Sequence, residues 1–360
     1  MTQSGHCRVN FAVMHNTAPS SIDVIKYFNC RSALGAAVRR RDVIALFGVA
    51  AAWPLPALAQ QSERTRRIGV LSSLAETDVE AQAWDAAFRK RLVELGWIEG
   101  RSVRIDYRWA AGSVDRMRLF ARELVQLNPD ALVSISTPAT AALQAETRTI
   151  PIVFAWVSDP IGSGFVSSLA HPGGNITGFL NIEASVVGKW LTLMREITPQ
   201  VSRIGFLYNP QTAPYARYYL DTFRAASSTL AIEAIDAPVH STEEVEAFMT
   251  KLGDEAGAGL FVMSDTSMIV YRKTIYSLAE RYRLPTIYPY RVFAAEGGLM
   301  SYGVDVADLL QGAASYIDRI LRGEKPNELA VQQPTRFELV VNAKTAKKLG
   351  LTIPTSMVVA

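Results

Sequence analysis

From Arg67 to the end of the chain, short apolar runs alternate with longer segments in which apolar residues return every three or four positions. The first pattern marks buried strands and the second marks amphipathic helices. Strands are predicted at Ile68–Leu71, Val103–Trp109, Ala131–Ile135, Ile150–Val157, Ile204–Tyr208, Ile232–Val239, Gly259–Met263, Leu284–Tyr290 and Phe337–Val341. In the second of these, Val103, Ile105, Tyr107 and Trp109 alternate with Arg104, Asp106 and Arg108, which predicts a half-buried strand near a sheet edge. Trp84, Phe88, Leu92 and Leu95 share one helical face, as do Met117, Phe120, Leu124 and Leu127, and later Leu309, Leu310, Ala313, Ile317 and Leu321. Thr137 is expected to cap a helix whose first residue is Pro138, and Ser241-Thr242-Glu243-Glu244 reads as a capping box.

Strands that alternate with helices argue for parallel α/β units, and two successive series of them imply two sheets of similar build. No low-complexity linker separates the series, so the two lobes are expected to be joined by crossing strands. The run Ile150–Val157 empties into Ser158-Asp159-Pro160, as a buried parallel strand does when it delivers its carboxyl end to a crevice. Pro172-Gly173-Gly174-Asn175-Ile176-Thr177-Gly178 is a strong turn signal that redirects the chain toward the second sheet.

Composition changes this picture mainly at the front of the chain. The 360 residues suffice for two cores of ordinary size. The formal charge is +3, but residues 1–59 hold Arg8, Lys26, Arg31, Arg39, Arg40 and Arg41 against Asp23 and Asp42. The rest is nearly neutral, which removes the electrostatic footprint of a nucleic-acid binder. Arg39-Arg40-Arg41, the apolar run Val43–Trp53 and Ala57-Leu58-Ala59 form the charged, apolar and small-residue regions of an export signal cut after Ala59. The arginines suit the twin-arginine route, although the polar pattern around them is incomplete and general secretion stays open. Residues 1–37 precede these charges, so translation is expected to start naturally at Val38. Both cysteines, Cys7 and Cys30, fall in this segment, and only His171 and His240 follow it, which disfavours disulfides, thiol nucleophiles and multi-histidine metal sites.

Candidate chemistry gathers where the strands end: Ser72 and Ser73, Thr137, Ser158 and Asp159, Asn209, Ser264 and Asp265, Tyr288 and Tyr290, and Ser301 and Tyr302. Helix N-termini there suit an anionic group, Asp159 or Asp265 an ammonium, and the tyrosine rings an apolar body. Taken singly, each of these small polar residues also serves simply as a helix cap; their accumulation at one edge is the informative feature. Gly162-Ser163-Gly164-Phe165-Val166-Ser167 lacks the third glycine and the ribose-binding acid of a dinucleotide fingerprint. There is no G-x-x-x-x-G-K-[ST] and no G-x-S-x-G, so phosphate cradles and hydrolase nucleophiles are missing.

Ser158-Asp159-Pro160, the Pro172–Gly178 turn, Leu207-Tyr208-Asn209-Pro210, Gly298-Leu299-Met300-Ser301-Tyr302-Gly303 and the tail Asn342–Leu351 together carry a resemblance. From about Arg66 onward the chain resembles the ABC transporter substrate-binding protein family that includes tryptophan- and tyrosine-binding members. The resemblance implies the type I periplasmic-binding fold, an α/β architecture of two Rossmann-like lobes with parallel sheets joined by a three-crossing hinge. With crossings near Gly178, Gly298 and Ala330, lobe one is expected to span 64–179 and 299–330, and lobe two 180–298 and 331–360. Ser72 or Ser73, Thr137 and Asp159 would face Asn209, Asp265 and Tyr288 across the ligand cleft, with Pro138, Ser158 and Tyr302 completing the candidate set. The implied role is a non-enzymatic, periplasmic, monomeric receptor without cofactor or nucleic-acid partner. It would close on a small molecule, with an amino acid favoured and an aromatic one suggested by the tyrosines of lobe two, and present it to an ABC permease in the inner membrane. Rival readings are a binding protein of the same fold feeding a sensor or chemoreceptor, an enzyme using the cleft acids, and a repressor's effector domain, the last disfavoured by the export signal.

Overall fold

The computed structural model describes residues 64–358 and the backbone of a strand, β1 (Ile25–Asn29). The apolar run Val43–Trp53, the cleavage after Ala59 and the start at Val38 lie outside the described residues.

The first lobe is built from β2 (Arg66–Ser72), α1 (Val79–Glu94), β3 (Val103–Trp109), α2 (Val114–Gln126), β4 (Ala131–Ile135), α3 (Thr137–Glu146), β5 (Ile152–Val157) and β6 (Ile176–Leu180). Its sheet is wholly parallel in the order β3-β2-β4-β5-β6. Every residue of β4 and β5 is buried, as a parallel strand covered on both faces requires, whereas β3 is mostly half-buried at the edge that its alternation predicted.

The second lobe contains α4 (Val186–Ile197), β7 (Arg203–Tyr208), α5 (Ala216–Thr229), β8 (Glu233–Pro238), α6 (Thr242–Gly253), β9 (Ala258–Val262), α7 (Thr266–Val270), α8 (Arg272–Arg281), β10 (Thr286–Tyr288), α9 (Arg291–Ala295) and β11 (Met300–Gly303). After α10 (Val306–Leu321) the chain returns as β12 (Arg336–Val341), α11 (Ala343–Lys348) and α12 (Thr355–Val358). The sheet order is β1-β12-β11-β10-β9-β7-β8, parallel from β8 to β11, with β12 antiparallel to β11 and β1 antiparallel to β12. Numbered within each lobe, the first five strands of both sheets run 2-1-3-4-5, so each lobe has a switch point between its first and third strands, where α/β sheets open a ligand crevice at the carboxyl ends.

Three expectations shift. Pro172–Gly178 does not yet leave the first lobe: Ile176–Leu180 adds β6 to that sheet, and Gly178 is required there because a Cβ would lie 2.0 Å from the Phe154 carbonyl oxygen. The first crossing therefore follows Leu180. Met300–Gly303 is hydrogen-bonded between β10 and β12, so the second crossing comes after Gly303 rather than near Gly298. At the last passage between the lobes, Gln332 still bridges Phe179 of the first lobe and β12 starts at Arg336. Finally, Ser136, not Thr137, caps α3, its Oγ accepting from Ala139 N at 3.3 Å, and Thr137 opens the helix.

α10 packs on α1 and the first sheet, fastened by Trp97 Nε1 donating to Asp318 at 2.9 Å and Arg91 Nε to Ser315 at 3.2 Å. A buried apolar cluster runs without interruption from Trp84 and Trp156 of the first lobe to Tyr290, Phe261 and Trp190 of the second, while Phe154, Leu132 and Leu143 fill the other face of the first sheet.

Candidate functional site

The two switch points face each other. On the first lobe β2 ends at Ser72 and Ser73 beside the start of α3; on the second, β7 ends at Asn209 beside the start of α7. The lobes touch directly here, with Thr266 Oγ1 3.1 Å from Ser73 Oγ.

Behind this contact lies a buried polar network around Asn181, the first residue past β6. Its Nδ2 donates to Ser264 Oγ at 2.7 Å and to Tyr290 OH at 3.3 Å, and its Oδ1 accepts from Ser158 Oγ at 3.0 Å. Ser158 N donates to Thr137 Oγ1 at 3.1 Å. Tyr219 OH lies 3.0 Å from Ser158 Oγ and donates to the Ile182 carbonyl at 2.5 Å. Trp156 Nε1 donates to Tyr290 OH at 2.5 Å, and that hydroxyl also meets Ser264 Oγ. Burial raises the Tyr219 and Tyr290 hydroxyls above the ordinary phenol range, so both remain protonated donors. One hinge residue thus holds polar groups from both lobes.

Buried aromatic rings pack at the same place. Trp84 meets Trp156 edge-on at 5.1 Å between centroids, and Trp156 meets Tyr290 edge-on at 6.0 Å. Trp156 has φ 59°, left-handed for a bulky residue, at a point where the β5–β6 register shifts between Ala155 and Val157. The extra residue re-aims the indole toward the second lobe, and such strain persists only where the surroundings over-determine it.

Asp265 is 1% exposed and caps α7. Its carboxylate accepts from Asn209 N at 2.8 Å, Thr212 Oγ1 at 2.5 Å and Ser267 N at 3.0 Å, all within the second lobe. Burial raises its pKa to about 6 against the opposing pull of these donors. Beside the contact of Ser73 with Thr266, the cleft opens as a cavity of about 440 Å³, with Leu74, Asp78 and Val79 on one side and Val270, Arg272 and Glu296 on the other. Among the described residues no group of three or more His, Cys, Asp or Glu could hold a metal ion, and no helix is long and apolar enough to cross a membrane.

Of the residues expected in the site, Ser73, Thr137 and Ser158 lie at the lobe contact, and Asn209 and Asp265 are joined to each other on the facing rim. Pro138 is buried in the first turn of α3. Ser72 Oγ accepts from Leu74 N at 3.3 Å within its own loop. Asp159 is half-buried, with φ 42°, and its Oδ1 accepts from Gly162 N three residues on at 2.9 Å, a local bond within its own loop rather than a cross-cleft contact. Tyr288 points into the second lobe, stacked on Phe293 at 5.0 Å. Tyr302 stacks on Phe337 at 5.6 Å on the face toward β12. Sequence reasoning missed Trp84, Trp156, Asn181 and Tyr219, which read as core or hinge positions. Ser264 and Tyr290 were visible among the strand ends, yet only the fold singles them out.

A family sequence model described as "ABC transporter substrate binding protein" matches residues 68–360. The tyrosine-binding protein of Clostridioides difficile (strain R20291) is 26% identical over 293 residues, covering 81% of this chain and 82% of that protein. The crystal structure of an ABC domain from Streptococcus pneumoniae in complex with L-Trp is similar with a TM-score of 0.76 and 27% identity, covering 81% of this chain and 97% of the other. A conserved domain protein from Vibrio cholerae has a TM-score of 0.77 and 28% identity, covering 82% and 97%. The relatives named for a function are solute-binding proteins, and the fold they share is the two-lobed type I periplasmic-binding architecture.

Proposed function

The chain belongs to the ABC transporter substrate-binding protein family, and on that premise we propose that it is a periplasmic receptor that encloses an aromatic amino acid between its lobes and hands it to an ABC permease of the inner membrane. It acts as a monomer and performs no chemistry on its cargo. The observation that carries this reading is the pairing of aromatic rings, Trp84, Trp156 and Tyr290, with hydroxyl and amide groups of Ser158, Asn181 and Ser264 at the lobe contact. Rings cover an apolar body while a few convergent polar groups fix its orientation. The tyrosine-binding relative and the L-Trp complex point to the same ligand class.

The test is a thermal-shift screen of the purified protein against the twenty amino acids, sugars and small carboxylates. A ligand that binds only the folded state at a hundredfold excess over its Kd adds about 2.7 kcal/mol of stability. L-Trp or L-Tyr is expected to give the largest rise in Tm. Stabilisation by sugars alone, or by no solute, sinks the proposal.

A further inference from the structure

One segment of the second lobe, Asp265 to Arg272, reaches the first lobe at three successive points. Thr266 Oγ1 meets Ser73 Oγ at 3.1 Å. Val270 stands so close to Gly112 that a Cβ there would lie 3.3 Å from its Cγ2. Arg272 Nη1 donates to Asp78 Oδ2 at 2.8 Å. The arginine is tied down on its own side as well, since Nε donates to Glu296 at 2.8 Å and Nη1 to the Ile269 carbonyl at 2.9 Å.

The exposures decide what this ion pair can contribute. Most charge pairs among the described residues are exposed on at least one side and worth little, but the side chains of Arg272 and Asp78 are only 10% and 13% exposed. Burial works against the guanidinium, yet Glu296 and Asp78 outweigh it and hold its pKa above the ordinary value, so it stays charged. Asp78 does double work. Its Oδ1 caps α1 through Glu80 N at 3.0 Å and Ala81 N at 3.3 Å, while Oδ2 faces the arginine. α1 in turn carries Trp84 of the buried aromatic rings.

We propose that Arg272 and Asp78 form a latch made only when the lobes are closed, so that they set solute affinity and residence time through the closure equilibrium. The inference rests on the receptor reading for its effect on binding, but not for its effect on closure. Arg272 and Asp78 are positioning residues. Opening the cleft separates them and leaves Arg272 paired with Glu296 alone, so the contact has the differential free energy between two states that a conformational bias requires. Glu296, on the same lobe as Arg272, orients the fork in both states.

The experiment uses Arg272→Gln, Asp78→Asn and the double variant, with Cys7 and Cys30 replaced by serine and spin labels on Leu119→Cys and Lys251→Cys, one in each lobe. Asn is as good an N-cap as Asp, so Asp78→Asn keeps α1 capped while removing the charge. Each single variant is expected to shift the interlobe distance distribution outward and to speed dissociation of L-Trp or L-Tyr roughly tenfold or more. The double variant should be no worse than either single one, because both break the same contact. Arg272→Lys, a point charge without the fork, should recover only part of the loss. Unchanged distances and dissociation rates in both single variants, or losses that simply add, overturn the latch. If the wild type binds none of the amino acids, the receptor reading fails, and the distance distributions still judge the latch. Unaltered circular dichroism keeps a folding defect from imitating the result.

Discussion

Ser136 and Asp265 occupy the same place in the two lobes, the N-cap of the helix after the third strand, and are held there in different ways. Ser136 has φ 116° and ψ 160°, a region that belongs almost entirely to glycine, whereas Asp265 has φ −149° and ψ 140°, ordinary extended backbone. The contrast extends along both rims. Ala111, Ser136, Trp156 and Asp159 are left-handed, non-glycine residues just past, or at the end of, β3, β4 and β5, all at the cleft. The other such residues, Asn128 in the first lobe and Ala231 and Arg283 in the second, precede β4, β8 and β10 and so lie at the edge away from the cleft, leaving the second lobe's rim with none. The first lobe therefore shapes its rim by backbone strain that its sheet over-determines. The second shapes its rim by buried hydrogen bonds that converge on one carboxylate.

Replacing Trp156 breaks the comparison hardest. Trp156→Ala removes a buried indole from between two rings and is expected to cost about 3–5 kcal/mol in urea unfolding and to abolish aromatic solute binding. Trp156→Gly loses the same side chain but accepts φ 59° freely, so it should be about 1 kcal/mol more stable than the alanine variant. In an unstrained strand glycine would be the worse of the two. Equal stabilities would mean that this rim stores no strain.

Asp265 sharpens the other side. Asp265→Ala leaves Asn209 N, Thr212 Oγ1 and Ser267 N facing a void and is expected to cost about 2–4 kcal/mol. Its folded pKa of about 6 lies above the ordinary 3.8, so the folded state binds the proton more tightly than the unfolded chain. The stabilisation linked to that proton is complete below pH 3.8 and is lost as pH rises through about 6, a decline on the order of 3 kcal/mol. Asp265→Asn, which cannot titrate, should flatten that part of the stability curve. An unchanged slope would mean that the three donors fully offset burial and leave the carboxyl with the same pKa folded and unfolded.

These residues also mark what the sequence could reveal. The strands were legible because apolar runs of strand length end in turn residues, and with them Ser73, Thr137, Ser158, Asn209 and Asp265 at the cleft edge. Trp156 was not, because it sits inside a continuous apolar run and only the bulge turns its ring toward the other lobe. Tyr288 and Tyr290, two apart in one predicted strand, are expected to share a face. β10 stops at Tyr288 and α9 follows, so one tyrosine packs inward and the other enters the lobe contact. The lobe boundary after Gly303 was hidden for a related reason. Met300–Gly303 is too short and too rich in small residues to look like a strand until β10 and β12 pair with it.

The smallest expected effect, at Ser136, makes the cleanest comparison, because the same replacement by glycine can be made at the equivalent position of the other lobe. Ser136→Gly loses the cap to Ala139 N, which costs only a few tenths of a kcal/mol when glycine replaces serine, and relieves a glycine-only backbone worth about 1 kcal/mol or more. The net should be a gain on the order of 1 kcal/mol. Asp265→Gly relieves nothing, since φ −149° suits any residue, and it strands the same three donors as the alanine variant while freeing the unfolded chain, so it should lose stability. Opposite signs in paired urea titrations are the expected result. A loss at both positions would mean that Ser136 is retained for its hydroxyl and that the two rims are built alike after all.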